Sequence, residues 1–253
     1  MSIFKSSNPT LSKKTFGSHV GAHEIGQEQM TVQGTLTKFG ITLLMLISSA
    51  AFTWKAFFEG KEISGWVMGS AIGGLVVALI IAFRPKTAPY LTPVYALIKG
   101  VMVGGISAIF SNAFEAIAPN IVMQAVGLTF GVVLAMFGLY TTGILKATPM
   151  FKKVVIIATA GIAVFYLLSF VLGFFGIAMP LIHSSGTWGI VFSLVVVGIA
   201  ALNLIMDFDL IEQGSAQGAP KYMEWYGSFA LMVTIIWLYI EILRLLSKIY
   251  SRD

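Results

Sequence analysis

Seven runs of roughly 20 mostly apolar residues dominate this chain, each long enough to cross a ~30 Å hydrocarbon layer as a helix. They cover approximately Leu36–Trp54, Ile63–Phe83, Leu91–Phe110, Ile121–Tyr140, Val154–Phe174, Thr187–Met206 and Gly227–Leu246. The runs are continuous rather than alternating, so each can satisfy its backbone hydrogen bonds only as a helix, and no barrel is expected. Composition agrees: 57% of the residues are hydrophobic, 11% are charged, and mean hydropathy is +0.88. A water-facing surface would need about a quarter of charged residues. The expected fold is an all-α integral membrane protein, a seven-transmembrane helix bundle over 35–253 behind a polar tail, 1–34. The third run, carrying Lys99, is the least apolar, and six spans are the alternative count.

The connections are short. Arg84-Pro85-Lys86 closes the second run, Ala147-Thr148-Pro149 precedes the fifth, and Gly214–Pro220 separates the last two. None could hold a soluble catalytic domain. The tail carries Lys5, Lys13, Lys14, His19 and His23 without an apolar core behind the first lysines, so it does not read as a signal peptide. Ten lysines and arginines fall on the amino-terminal side of the spans and five on the other, with Lys99 inside a span. That asymmetry predicts a cytoplasmic amino terminus. The basic carboxyl end fits seven spans less well and is the main argument for six. Basic loops beside anionic lipid account for the net charge of +5 without a nucleic-acid partner. Gly69/Gly73, Gly100/Gly104 and Gly127/Gly131 have the spacing that lets membrane helices approach closely within a bundle.

With no cysteine there is no disulfide, thiolate metal site or cysteine nucleophile, and three histidines leave little for a metal cage. No P-loop, dinucleotide fingerprint or HExxH is present. No Ser/His/Asp set falls on one side of the membrane. An enzyme is not expected, and no cofactor is called for.

Chemistry is expected where carboxylates enter the apolar runs, because each costs about 2.5–3.5 kcal/mol on insertion scales. Asp207 and Asp209 lie about 200° apart around a helix, so one should face the bundle and the other the helix end. Glu241 is apolar-flanked on both sides. It has two readings: an intrahelical pair with Arg244 at the outer interface, or a carboxyl pair with Asp207. Two such groups in a dry site would hold one proton between them. Such a pair would act as a proton switch and, deprotonated, as an oxygen site for Ca²⁺. Lys99, Asp209 and Arg244 are candidate counter-ions or pathway residues. His183 falls in a connecting loop and reads as solvated.

Long strings in the chain look familiar. They include Asn8-Pro9-Thr10-Leu11-Ser12-Lys13-Lys14, Met30-Thr31-Val32-Gln33-Gly34-Thr35 and Tyr90-Leu91-Thr92-Pro93-Val94-Tyr95-Ala96-Leu97. The most informative are Met206-Asp207-Phe208-Asp209-Leu210-Ile211, Gly218–Tyr226 and Trp237-Leu238-Tyr239-Ile240-Glu241-Ile242-Leu243-Arg244. On these the chain resembles the bacterial branch of the Bax inhibitor-1/YccA family. The resemblance implies a bundle with its last helix near the centre, in a bacterial inner membrane. It also implies a pH-sensitive Ca²⁺ leak governed by two acids, which match Asp207 on the sixth helix and Glu241 on the seventh. Glu241 keeps the carboxylate of the family's aspartate with one more methylene. Lys99 stands where relatives often carry Glu before Gly, reversing a charge in or near the path. The two acids are 34 positions apart, so unequal arms of the hairpin would set them at different depths unless residues 214–226 fold back.

The leading expectation is therefore a Ca²⁺ leak gated by protons at Asp207 and Glu241. The alternative is a membrane-embedded regulator that restrains a membrane protease or stress-response protein through its tail. A proton-coupled transporter is a third class.

Overall fold

A computed structural model of the chain describes residues 28–176 and 185–251. His183 and the tail residues Lys5, Lys13, Lys14, His19 and His23 lie outside them. Among the described residues there are seven long helices, each apolar enough to cross a membrane, and no strands. They are α1 (Val32–Phe58), α2 (Ser64–Phe83), α3 (Ala88–Ala113), α4 (Ile121–Thr141), α5 (Pro149–Phe174), α6 (Thr187–Ala216) and α7 (Met223–Tyr250). The six-span alternative is thereby set aside. We call the end where α1 begins the near side and the other the far side.

Helix ends follow local chemistry. Thr31 caps α1 by accepting from the Gly34 amide, and Thr148 caps α5 by accepting from Phe151, with Pro149 in the first turn. Every helix but α2 and α4 begins earlier or ends later than its apolar run by several residues, most of all α6, which continues from Met206 to Ala216. The acids Asp207, Asp209 and Glu212 thus sit within its last turns rather than in a loop.

Two apolar clusters make the core. One joins α4, α6 and α7 through Ile121, Leu204, Ile205, Leu238 and Leu243. The other joins α1, α2, α3 and α7 through Leu46, Ile81, Tyr95, Met232 and Ile236. Only α7 contributes heavily to both, and it packs against α1, α3, α4 and α6. The last helix is central, with 61% of its apolar window inside the bundle. At the opposite extreme is α5, with 6% inside. It packs along α6, and among its described side chains only Val155 is fully buried.

The glycine pairs divide sharply. A Cβ on Gly100 would lie 2.3 Å from the Leu46 carbonyl oxygen, and one on Gly104 2.2 Å from that of Ala50. These two let α1 and α3 touch backbone to backbone. Gly69, Gly127 and Gly131 face open space.

Candidate functional site

The α6–α7 connection is short, and it settles where the two acids sit. α6 runs nine residues past Asp207 to Ala216, the chain turns at Gly218 in the left-handed region (φ +65°), and α7 starts at Met223. Glu241 lies eighteen residues into α7. The arms are unequal, as the spacing warned. Asp207 is level with Thr234, whose hydroxyl is its polar neighbour on α7. Glu241 is seven residues farther along the same helix, about 10 Å along the axis. The expected carboxyl pair therefore does not form: the two acids share no hydrogen bond and stand at different depths.

Each acid has its own surroundings. Asp207 Oδ2 is enclosed and, among the described residues, has no hydrogen-bond partner. Besides Thr234, the Tyr226 phenol of α7 faces it. Among the described residues no Lys or Arg forms an ion pair with it. Glu241 is 2% exposed and fully engaged. Arg244 Nη1 donates to it at 2.9 and 3.2 Å, and the Tyr166 hydroxyl of α5 donates at 3.0 and 3.1 Å. Arg244 Nη1 also donates to Tyr166 at 2.8 Å, closing a triangle. Glu241 and Arg244 do make an i, i+3 pair, but Glu241 is buried within the bundle rather than carried out to an interface, and a phenol from another helix is added. Because the two carboxylates do not converge, they do not form a joint Ca²⁺ cage. Among the described residues no three His or acidic side chains gather into one either.

Of the other candidates, Asp209 points to α5, where it pairs with Lys152 and accepts from Gln213 at 2.7 Å. It borders a cleft of about 340 Å³ at the near side, whose rim includes Tyr140, Lys146 and Glu212. Tyr140 donates to Glu212 there. Lys99 is not a counter-ion to any described acid. Its stem lies against Gly74, and its ammonium sits 6.0 Å from the Tyr95 ring centre and 3.7 Å from Met102 Sδ.

Two buried charges were not singled out from sequence. Glu224, fully buried, accepts from the Thr31 amide and hydroxyl at 2.9 Å each and pairs with Lys38. Around it the strap 28–31 lies against the α6–α7 connection: the Met30 amide donates to Ala219, and Lys221 to Glu28. Lys248, 4% exposed at the far side, donates to the Gly189 carbonyl and the Ser193 hydroxyl at 3.0 and 2.9 Å. Lys38 and Glu224 are 186 positions apart, so no local pattern pairs them. The Thr31–Gly34 cap was the nearest available signal.

A seven-span helical bundle, with the last helix at its core and an acid inside each of the last two helices, is the class of protein that fold and site define. The family model of Bax inhibitor 1 like proteins matches residues 8–251, and the chain belongs to that family. No curated protein and no solved structure matches it.

Proposed function

We propose that the chain is a slow, pH-sensitive Ca²⁺ leak of a bacterial inner membrane, amino terminus inside, in which Asp207 and Glu241 act in series. The observation that carries this reading is the enclosed, unpartnered Asp207 Oδ2. A lone carboxylate in a dry site is costly, so its low-energy occupants are a proton on the acid or a cation beside it. Exchange between those two occupants is what couples cation passage to pH. Carboxylate oxygens are among the ligands a hard cation such as Ca²⁺ takes. Glu241, already neutralised by Arg244, serves as the far-side clasp that keeps the bundle shut. Membership of the Bax inhibitor 1 like family supports the reading.

The test is Ca²⁺ entry into dye-loaded proteoliposomes over about pH 5–8, a window spanning acid and neutral conditions. Asp207→Asn should flatten the pH profile, and Glu241→Gln should raise flux by freeing the clasp. Wild-type flux and profile in both variants would end the acid mechanism.

A second reading, a regulator holding a membrane protease through residues 1–34, draws on the strap: residues 28–31 tie the tail's root to the α6–α7 connection. Deleting the tail should then abolish capture of the protease while sparing ion flux. Capture that survives the deletion counts against it.

A further inference from the structure

α5 is almost bare of packing, yet one of its faces is polar at even spacing. Lys152, Thr159 and Tyr166 are seven residues apart in succession, which stacks them on one side of a helix. Each is engaged across the seam with α6 or α7. Lys152 meets Asp209, Thr159 accepts from Asn203 Nδ2 at 2.8 Å, and Tyr166 completes the Glu241–Arg244 triangle. Over the fourteen residues from Lys152 to Tyr166 these contacts span about 21 Å, most of a ~30 Å hydrocarbon layer. Asp207 lies one turn from Asn203 on α6, beside the same row, and the Lys248–Ser193 contact continues it at the far end. Much of the remaining surface of α5 is open to lipid: Ile156, Ile157, Leu167 and Phe170 are all more than half exposed.

We propose that the ion path runs along the α5–α6–α7 seam rather than through the bundle centre, and that α5 is its moving wall. Sliding or lifting α5 keeps its apolar faces in lipid and exchanges three polar clasps for water. Moving α7 would instead open both apolar clusters. The apolar cleft of about 280 Å³ between α1, α3, α4 and α7 offers a cation no charged or acidic group. The inference rests on the leak reading for what passes, but the motion can be measured without it.

The chain contains no cysteine, so single thiols can be placed without background. In proteoliposomes, the rate at which Thr159→Cys reacts with a membrane-impermeant methanethiosulfonate, divided by that of a free cysteine thiol at the same pH because only the thiolate reacts, should be several-fold higher at the pH of highest Ca²⁺ flux than at the pH of lowest. Ile162→Cys, one turn along the same face, repeats the reading should Thr159→Cys fail to fold. Ile157→Cys, 72% exposed to lipid, should stay unreactive throughout. Bridging the Thr159→Cys/Asn203→Cys pair with a short bis-methanethiosulfonate should abolish flux, and a reductant should restore it. Full flux with the bridge in place, or thiol reactivity that is equal at every pH once divided by that of the free thiol, overturns the seam while leaving the leak standing. Absence of wild-type Ca²⁺ flux alongside pH-dependent labelling overturns the leak and keeps the seam.

Discussion

Glu224 lays its carboxylate over Gly34, so closely that a Cβ at that glycine would fall 2.1 Å from Oε1. The carboxylate reaches the Thr31 amide and hydroxyl only because nothing stands on α1 at that turn. Gly34→Ala should push it off both donors and away from Lys38, undocking the strap from α7. Charge-assisted hydrogen bonds near a helix end are worth about 1.5–3 kcal/mol. A loss of that order should appear as a lower melting temperature in detergent. Glu224→Gln should lose part of it, and an unchanged melt in Gly34→Ala would show that the strap does not hold the near side together.

The glycine pairs make a paired prediction. Gly100→Ala and Gly104→Ala would drive a methyl into backbone oxygens of α1, and no side-chain rotation relieves that. Overpacking of this kind costs about 1–3 kcal/mol. Gly127→Ala and Gly131→Ala meet nothing within 4 Å. They should gain about 0.5–1 kcal/mol each from helix propensity alone. Thermal unfolding followed by tryptophan fluorescence separates the two classes. Destabilisation by the α4 pair would mean that a second copy of the chain packs on that face.

How much of this was legible in the sequence depends on the range of each signal. Hydropathy found every span because lipid exposure acts on each segment independently. It misplaced helix ends because α6 and α7 run on as helices through polar residues that a hydropathy window excludes, Asp207–Ala216 most of all. The depth mismatch of Asp207 and Glu241 was readable, since arm lengths on a hairpin are arithmetic. Which partner each acid takes was not, because Arg244 is local to Glu241 but Tyr166 arrives from α5, 75 positions away. The heptad row Lys152, Thr159, Tyr166 was visible as spacing. Its significance depended on knowing that α5 packs against α6.

Because Asp207 and Glu241 lie about 10 Å apart along the axis and share no partner, their substitutions should act independently. In a double-mutant cycle, the stability changes of Asp207→Asn and Glu241→Gln should add to within about 0.5 kcal/mol. A proton-sharing pair would give a far larger coupling, and that result would require a conformation in which the two acids meet.

Lys99 tests a different assignment. With no acid among the described residues paired to it, its side chain contributes a packed stem and a cation over the Tyr95 ring. Lys99→Met keeps the stem and loses a cation–π contact of about 0.5–1 kcal/mol. Stability should fall by no more than that, and Ca²⁺ flux should be unaltered. A large rise in flux would instead make Lys99 the charge that limits cation entry.

The clasp at the far side gives the sharpest contrast between removing one partner and removing both. Arg244→Met leaves Glu241, at 2% exposure, with only the Tyr166 hydroxyl, the Trp237 side chain and the more distant Lys248 charge to offset it. Leaving such a charge uncompensated costs about 3–5 kcal/mol, less here to the extent that Arg244, 31% exposed, already shares its charge with water. Glu241→Gln together with Arg244→Met removes the charge and its partner at once and should recover most of that loss. The two variants should differ in conduction as well, since Arg244→Met leaves the Glu241 carboxylate to hold the Tyr166 hydroxyl of α5, whereas the double variant keeps no charged group there. Proteoliposome flux and thermal melts on the same preparations check both halves: a double variant as unstable as Arg244→Met alone would mean that Arg244 supports the bundle through packing rather than through Glu241.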